Sequence, residues 1–382
     1  MKVYDIAVIG GGIQGAGVAQ AFAAAGCSVI VFEQTGIASA TSSKSSKLIH
    51  GGLRYLESCQ FKLVRKALLE RALLFKLAPT LVKPVKFFIP IYKHTMRRWW
   101  QIKLGLSLYQ LLGGFKKYTH YKKIDITEQP VTRLRKSGLQ IVYQYYDAQT
   151  DDVELTHRVM QSAQELGAEI FCPASVESLQ FNKVGYDITL KNKQEKIFAN
   201  VVVNAAGPWV NHVVDSIKGI ATKKVQCELV QGTHIVIDAP SPEGVIYVEA
   251  PQDKRAVFIM PWKDKTLVGT TEKSYTGDPA DVKPSELEIN YLVEVYQHYM
   301  DTGTVNVLES FAGLRVLPVS GGSFFSRARD TVIVETAGNF ISLYGGKLTA
   351  YRMTAEQVLK LVKNKTGITF PQECSTSKIK LD

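Results

Sequence analysis

Residues Thr41 to Glu57 read Thr-Ser-Ser-Lys-Ser-Ser-Lys-Leu-Ile-His-Gly-Gly-Leu-Arg-Tyr-Leu-Glu. Four serines, two lysines and a glycine pair offer many hydrogen-bond donors and little bulk. That composition suits a backbone running along a long polyphosphate cofactor and turning beneath its ring. A plain nicotinamide-binding protein has no need of such a stretch, so it points towards FAD. The Arg54-Tyr55 pair that follows points towards an anionic substrate.

Something must place that loop. Upstream, Val3 to Gly10 is apolar and β-branched, as expected of a strand buried on both faces. Gly10-Gly11-Gly12-Ile13-Gln14-Gly15 then fits G-x-G-x-x-G. Gly10 permits the tight turn, Gly12 lets the backbone approach a pyrophosphate, and Gly15 allows close helix–strand packing. Ala16 to Ala25 continues as a helix whose N-terminus favours phosphate charge. Gly26 ends it, and Ser28 to Phe32 is a second strand. Glu33 closes that strand, 18 residues after Gly15. An acid there accepts from ribose hydroxyls and repels a 2′-phosphate. Ala24-Ala25-Gly26-Cys27 imitates a lipoprotein cleavage box, but Asp5 and the triple glycine interrupt the apolar core such a signal needs.

The chain has 382 residues, 46% hydrophobic and 21% charged, enough for two cores or one elaborated α/β unit. No apolar run approaches the roughly 20 residues that span a bilayer. The five cysteines (Cys27, Cys59, Cys172, Cys227 and Cys374) include no C-x-x-C pair, which argues for free thiols in a reducing, cytoplasmic compartment. H-E-x-x-H, G-x-S-x-G and P-loop patterns are absent, and no metal site is expected. The net charge of +11 favours anionic partners. Much of it lies in Lys83 to Lys123, interleaved with Trp99, Trp100, Tyr109 and Phe115. Residues 97–113 form an apolar helix with basic ends. Two readings of it stand: a core helix with solvated flanks, or a peripheral contact with the inner face of the cell membrane through Trp and Lys/Arg. Nucleic acid is disfavoured, since no binding module accompanies the charge.

Along the chain, Phe61 to Leu77 has helical spacing. Val85 to Tyr92 and Leu139 to Tyr146 read as strands, and Glu154 to Leu166 as a helix. Asn200 to Gly207 is another buried parallel strand ending in small residues. Val225–Asp238, Gly244–Glu249, Arg255–Trp262 and Thr266–Thr271 read as antiparallel strands. Pro284–Met300 reads as a helix, Phe340–Gly346 as a last strand, and Leu348–Lys363 as the closing helix. The fold class is α/β. A Rossmann-like FAD-binding domain (1–80, 140–218 and 310–370) is interleaved with a substrate domain of mainly antiparallel sheet plus helices (81–139 and 219–309). Ligands in such sheets bind beyond the carboxyl ends of the strands.

These residues carry a specific resemblance. Val8–Gly17, Thr41–Glu57, Asn204–Val210, Gln231–Val236, Asp253–Trp262, Gly269–Thr271 with Gly277-Asp278-Pro279, Gly313-Leu314-Arg315 and Gly345–Arg352 run in family order across nearly the whole chain. It resembles the FAD-dependent glycerol-3-phosphate dehydrogenases, within the D-amino-acid-oxidase-like flavoproteins. The resemblance implies FAD and oxidation of sn-glycerol 3-phosphate to dihydroxyacetone phosphate. Hydride passes from C2 to flavin N5, and electrons pass on to quinone or another acceptor. Longer members carry a helical C-terminal domain, so a short form lacking it is expected.

The resemblance also implies roles. Arg54, Tyr55, Arg315, Arg329 and Lys347 supply cations and hydroxyl donors to the phosphate, Arg being apt because its planar fork matches phosphate oxygens. His50 and His234 are alternative bases. Arg315 is placed to hold a developing alkoxide, and Lys347 to stabilise charge on the flavin's pyrimidine edge. Further FAD contacts are expected from Gly10, Gly12, Ile13, Gln14, Gly15 and Glu33, and from Ser42, Ser43, Ser46, Lys47 and Leu48. The backbone of Val176 would edge the adenine. Ala206 and Gly207 follow, with Gly346, Lys347, Leu348 and Thr349 near the ring. Two rival readings stay open. One is a related flavoenzyme of a 2-hydroxy acid or amino acid, and the other is a non-catalytic flavin-binding protein.

Overall fold

The structure, a computed structural model, describes residues 1–127, 133–319, 331–336, 338–365, 370–371 and 375–382. Arg329, the segment Ser320–Phe325 and Cys374 lie outside the described residues.

The chain opens with β1 (Lys2–Ile9), α1 (Ile13–Ala24) and β2 (Val29–Phe32). It then gives β3 (Leu48–Ile49), α2 (Phe61–Leu77), β4 (Lys83–Tyr92), α3 (Trp99–Leu112), β5 (Lys122–Ile124) and β6 (Leu139–Gln149). There follow α4 (Asp152–Glu165), β7 (Glu169–Phe171), β8 (Val176–Phe181), β9 (Tyr186–Leu190), β10 (Ile197–Asn204), α5 (Val210–Asp215) and β11 (Ile217–Lys218). A run of strands comes next: β12 (Cys227–Ile237), β13 (Val245–Glu249), β14 (Ala256–Trp262), β15 (Lys265–Gly269) and β16 (Lys273–Tyr275). After α6 (Glu286–Tyr299) come β17 (Val307–Pro318), β18 (Val332–Thr336), β19 (Phe340–Tyr344) and α7 (Tyr351–Lys365).

Two sheets result. In the first, β7, β2, β1, β10 and β19 run parallel, with β8, β9, β11 and β18 extending it. Its central strands are buried on both faces. Ile6 and Val8 join one core with α1, α4 and α7, while Ala7 and Ile9 join another with Leu179, Tyr186 and Ile188. That double burial is why β1 reads as a continuous apolar run. Helix α4 starts two residues earlier than its apolar spacing predicts. Asp151 caps it, its carboxylate accepting from the Val153 and Glu154 amides at 3.0 and 3.3 Å.

The second sheet takes the order β16-β12-β15-β14-β13-β4-β6-β3, with β17 on β12 and β5 on β6. Ile235 and Ile237 of β12 face α6, and Val236 between them faces α2 and α3. The α/β class and the interleaving stand as expected. The ladders nevertheless place β6 and the whole of β17 in this second sheet. The expected divisions at 140 and 310 therefore fall inside these two strands. Alternation along a half-buried strand reports one buried face, not which sheet supplies its neighbours.

Candidate active site

The carboxyl ends of β1, β2 and β10 open onto an elongated cleft whose opposite wall is the second sheet. Its volume, about 440 Å³, lies within the range of small-molecule sites. At one end the glycine pattern acts sterically. A Cβ on Gly10, where φ is +111°, would meet the Ala205 carbonyl oxygen at 2.5 Å. One on Gly15 would sit 1.9 Å from the Gly10 oxygen, so only glycine lets α1 pack this closely on β1. Ser42 Oγ accepts from the Ile13 amide at 2.9 Å and ties the serine loop to the start of α1. Glu33 accepts from the Gly11 amide at 2.6 Å and from the Thr35 amide at 2.9 Å.

The cleft gathers most residues expected to hold the cofactor: Gly10, Gly12, Ile13, Gln14, Glu33, Ser42, Ser46, Leu48, Val176, Ala206, Gly207 and Gly346 to Thr349. Three others do not line it. Gly15 lies behind, between helix and strand, and Ser43 Oγ donates to the Ala40 carbonyl at 2.9 Å. Lys47 is the informative exception. Its ammonium is buried, 2.5 Å from Asp152 Oδ1 and 2.7 Å from the Ser43 carbonyl. Asp152 also accepts from the Ser45 amide and hydroxyl at 3.0 and 2.6 Å. The lysine is thus a strut under the serine loop, and a fully buried aspartate at the start of α4 is its anchor.

At the other end, His234 on β12 stacks on Phe311 of β17 with centroids 5.1 Å apart. Its Nε2 lies 2.9 Å from Ser46 Oγ. Burial, together with the positive charges of Arg315 and Lys47, lowers its pKa to about 3, so the ring is neutral at physiological pH. Arg315 lies opposite Val230 in the β12–β17 ladder. It donates to Glu272 at 2.9 Å and to Thr270 Oγ1 at 3.1 Å. Gly232 makes room for it, since a Cβ there would come within 2.7 Å of the guanidinium. Arg255, a cation the sequence reading did not single out, lies 3.5 Å from the same Glu272 and also lines the cleft. Neither Arg255 nor Glu272 carries a local signal: both read as ordinary charges at strand ends.

Lys347 follows Gly345 and Gly346, both at positive φ. Its Nζ is buried, has no hydrogen-bond partner among the described residues, and lies 4.1 Å from the Tyr55 ring centroid. His50, Arg54 and Tyr55 line the same cleft, and the His50 amide donates to Thr349 Oγ1 at 3.3 Å. The structure therefore brings together every expected catalytic and substrate-binding residue except Arg329, which it does not describe.

A buried ammonium without a partner is costly unless an anion sits beside it. Gln14 Oε1 is likewise buried with no donor among the described residues, and Gln14 Nε2 donates to the Lys347 carbonyl at 3.2 Å. With a glycine cradle at one end and unmatched polar atoms at the other, these residues fit an elongated, anionic, ring-bearing cofactor such as FAD. The family model described as FAD dependent oxidoreductase matches residues 5–352. A glycerol-3-phosphate dehydrogenase of Pseudomonas aeruginosa is 38% identical over 371 residues, covering 94% of this chain and 71% of that protein. A D-erythritol 1-phosphate dehydrogenase of Brucella abortus is 36% identical over 379 residues, covering 96% and 74%. The crystal structure of a glycerol-3-phosphate dehydrogenase from Bacillus halodurans complexed with FAD aligns with a TM-score of 0.77 at 28% identity. That alignment covers 100% of this chain and 68% of the other. The chain belongs to the FAD-dependent oxidoreductase family.

Proposed function

We propose that this protein oxidises sn-glycerol 3-phosphate to dihydroxyacetone phosphate with FAD and passes the electrons to quinone or another acceptor. The observation that carries this is the convergence of Arg54, Arg315 and Lys347 with two histidines at one end of a cleft whose other end is the dinucleotide cradle. FAD, when bound, supplies the hydride acceptor. The chain does the rest. Arg54, Arg255, Arg315 and Lys347 give a dianionic phosphate several donors, and planar guanidinium forks match its oxygens. Glu272 fixes Arg315 before substrate arrives, so little side-chain freedom is lost on binding. His50 takes the hydroxyl proton, and the neutral His234 with Ser46 sets one wall. The aromatic wall of Phe87, Tyr145, Tyr247 and Phe258 excludes water from the reacting end.

The cofactor domain in this reading is the first sheet with α1, α4 and α7, and the substrate domain is the second sheet with α2, α3 and α6. No helix among the described residues is long and apolar enough to cross a membrane. Peripheral contact with the inner face of the cell membrane, where a quinone acceptor would lie, is assigned to α3, whose Trp99 and Trp100 are exposed.

The test is anaerobic. The purified yellow protein is mixed in turn with glycerol 3-phosphate, D-erythritol 1-phosphate, a 2-hydroxy acid and an amino acid, and flavin absorbance is followed. Bleaching by glycerol 3-phosphate is expected. Bleaching by the hydroxy or amino acid instead would overturn the phosphate reading. A spectrum unchanged by all four would point to a non-catalytic flavoprotein.

A further inference from the structure

The loop from His50 to Tyr55 carries three side chains of the proposed site, yet its centre is a glycine pair that offers no side chain to hold it. What holds it lies underneath. The Gly51 amide donates to the Tyr109 hydroxyl at 2.9 Å and to Asp147 Oδ1 at 3.3 Å. The Tyr109 hydroxyl donates in turn to Asp147 Oδ2 at 2.7 Å. Arg71 closes the set: it pairs with Asp147 Oδ1 and donates to the Tyr146 and Tyr118 carbonyls at 2.8 and 3.0 Å. Arg71, Tyr109 and Asp147 are each at most 2% exposed, and they come from three elements: α2, α3 and β6. Arg71 and Asp147 compensate each other's burial by pairing, although Arg71 Nε finds no acceptor among the described residues, and the bonds of Asp147 extend to a backbone amide beside a candidate base. The site at Gly51 is also built to fit. A Cβ there would meet the Tyr109 hydroxyl oxygen at 2.4 Å and Leu68 at 2.7 Å. Gly52 follows with φ +75°, and the turn Leu53–Leu56 begins at once.

We infer that Tyr109 is a positioning residue for the oxidation. Its hydroxyl, oriented by Asp147 and Arg71, pins Gly51 and so fixes where His50, Arg54 and Tyr55 meet the substrate. This rests on the function proposed above. It adds that the surface helix α3, through its one buried tyrosine, is mechanically joined to the catalytic loop. Loss of the hydroxyl leaves the ring in place among Tyr145 and Leu68 but leaves the Gly51 amide only its longer bond to Asp147 Oδ1, at 3.3 Å, and misplacement by a fraction of an ångström to an ångström is what hydride transfer tolerates least.

The experiment compares Tyr109→Phe with Leu68→Ala, a truncation against the same glycine that removes no hydrogen bond. Three quantities are read in the FAD-bound protein: the anaerobic rate of flavin reduction by glycerol 3-phosphate, the melting temperature, and the hydrogen-exchange rate of the Gly51 amide. In Y109F the reduction rate should fall by about tenfold to a hundredfold at full FAD occupancy. The Gly51 amide should exchange about tenfold faster. L68A should lose more stability, through its cavity, and keep its reduction rate within about twofold. Equal rates in Y109F and the unmodified protein, or the same rate loss in L68A, would overturn the inference. So would a Gly51 amide that exchanges in the unmodified protein as fast as an amide of an unfolded chain, a measurement that needs no variant. Should glycerol 3-phosphate fail to reduce the unmodified protein, the substrate assignment falls, while the exchange rates still decide whether the loop is pinned.

Discussion

A base that takes the substrate's hydroxyl proton must be neutral before the transfer and tolerate charge after it. His234 meets the first condition and fails the second. Arg315 and Lys47 oppose a positive charge on its buried ring, and Ser46 Oγ already lies against its Nε2. That leaves His50, which lines the cleft and is held through its backbone by Thr349. His50→Asn should slow flavin reduction by about a hundredfold or more. His234→Asn should cost less than about tenfold, because it removes a wall and not the proton acceptor. Anaerobic reduction rates of both variants at full FAD occupancy check this, and a larger loss in the His234 variant would reverse the assignment. His234 makes a second, independent statement about stability. Its folded-state pKa is depressed to about 3, so its contribution is fully present above the unfolded value near 6.5 and is lost as pH falls towards about 3. Within that window each pH unit removes up to about 1.4 kcal/mol. Melting curves of the unmodified protein should therefore fall more steeply between pH 6 and 4 than those of the Asn variant.

Two glycines that would each clash with a side chain do so against different elements, and the element decides the outcome. At Gly15 the added Cβ meets the backbone oxygen of Gly10, just past the end of β1, in a turn whose Gly10 amide donates to the Phe32 carbonyl of β2 at 2.8 Å and so has little freedom to move. Gly15→Ala should be purified without FAD and lose several kcal/mol of stability, of the order of ~3. At Gly232 the Cβ meets the ends of the Arg315 and Thr270 side chains, which can swing aside. Gly232→Ala should keep its colour and melting temperature and raise KM for glycerol 3-phosphate by about tenfold. Absorbance of the purified variants and steady-state kinetics separate the two cases. The same contrast explains what the sequence made legible. The β1-α1-β2 unit was readable because burial on both faces leaves an unbroken apolar run and a glycine at every close approach. β17 was not, because its first half is exposed and carries Glu309 and Ser310, so neither a run nor a clean alternation marks it. His50, Arg315 and Lys347, all of which line the cleft, were singled out through short motifs, two of them following a strand and the Arg315 motif lying within β17. Asp152, Asp147 and Arg71 were not, since their partners lie about 75 to 105 residues away in sequence and nothing local distinguishes a buried acid from a helix cap or a solvated charge. Lys47 belongs with them: expected as an FAD contact, it does not line the cleft, and the buried aspartate that takes its ammonium gives no local signal.

On the scale of the molecule, the remaining question is which surface faces an electron acceptor, and the proposal made above rests on α3. Its inner face is core: Ile102, Leu106 and Tyr109 are buried against the second sheet. Its outer face is not covered, with Trp99 and Trp100 50% and 53% exposed and Leu104, Leu111, Met96 and Phe115 exposed beside them. Arg98, Lys103, Lys116 and Lys117 are exposed around this apolar surface. Tryptophan and leucine ringed by cations suit an interface with anionic lipid, where the rings enter the headgroup boundary and the ammonium groups stay outside. The core reading of this helix holds for its inner face, and lipid contact is the proposal for its outer face. Arg97 must be removed from the contact, however. It pairs with Glu57 and, at 2.7 Å, with Glu249, and these carboxylates raise its pKa while tying the start of α3 to β13. A binding test that changes Arg97 would report unfolding of the helix start. The informative variant is Trp99→Ser with Trp100→Ser, which touches only exposed rings. It should leave the melting temperature and the rate of flavin reduction unchanged and lower co-sedimentation with vesicles of one-third anionic lipid by about tenfold. Replacing Arg98 and Lys103 by Gln should weaken binding less and make the residual binding insensitive to salt. Undiminished sedimentation of the double Trp variant would remove α3 from the interface and, with it, the reason to place the acceptor in the lipid.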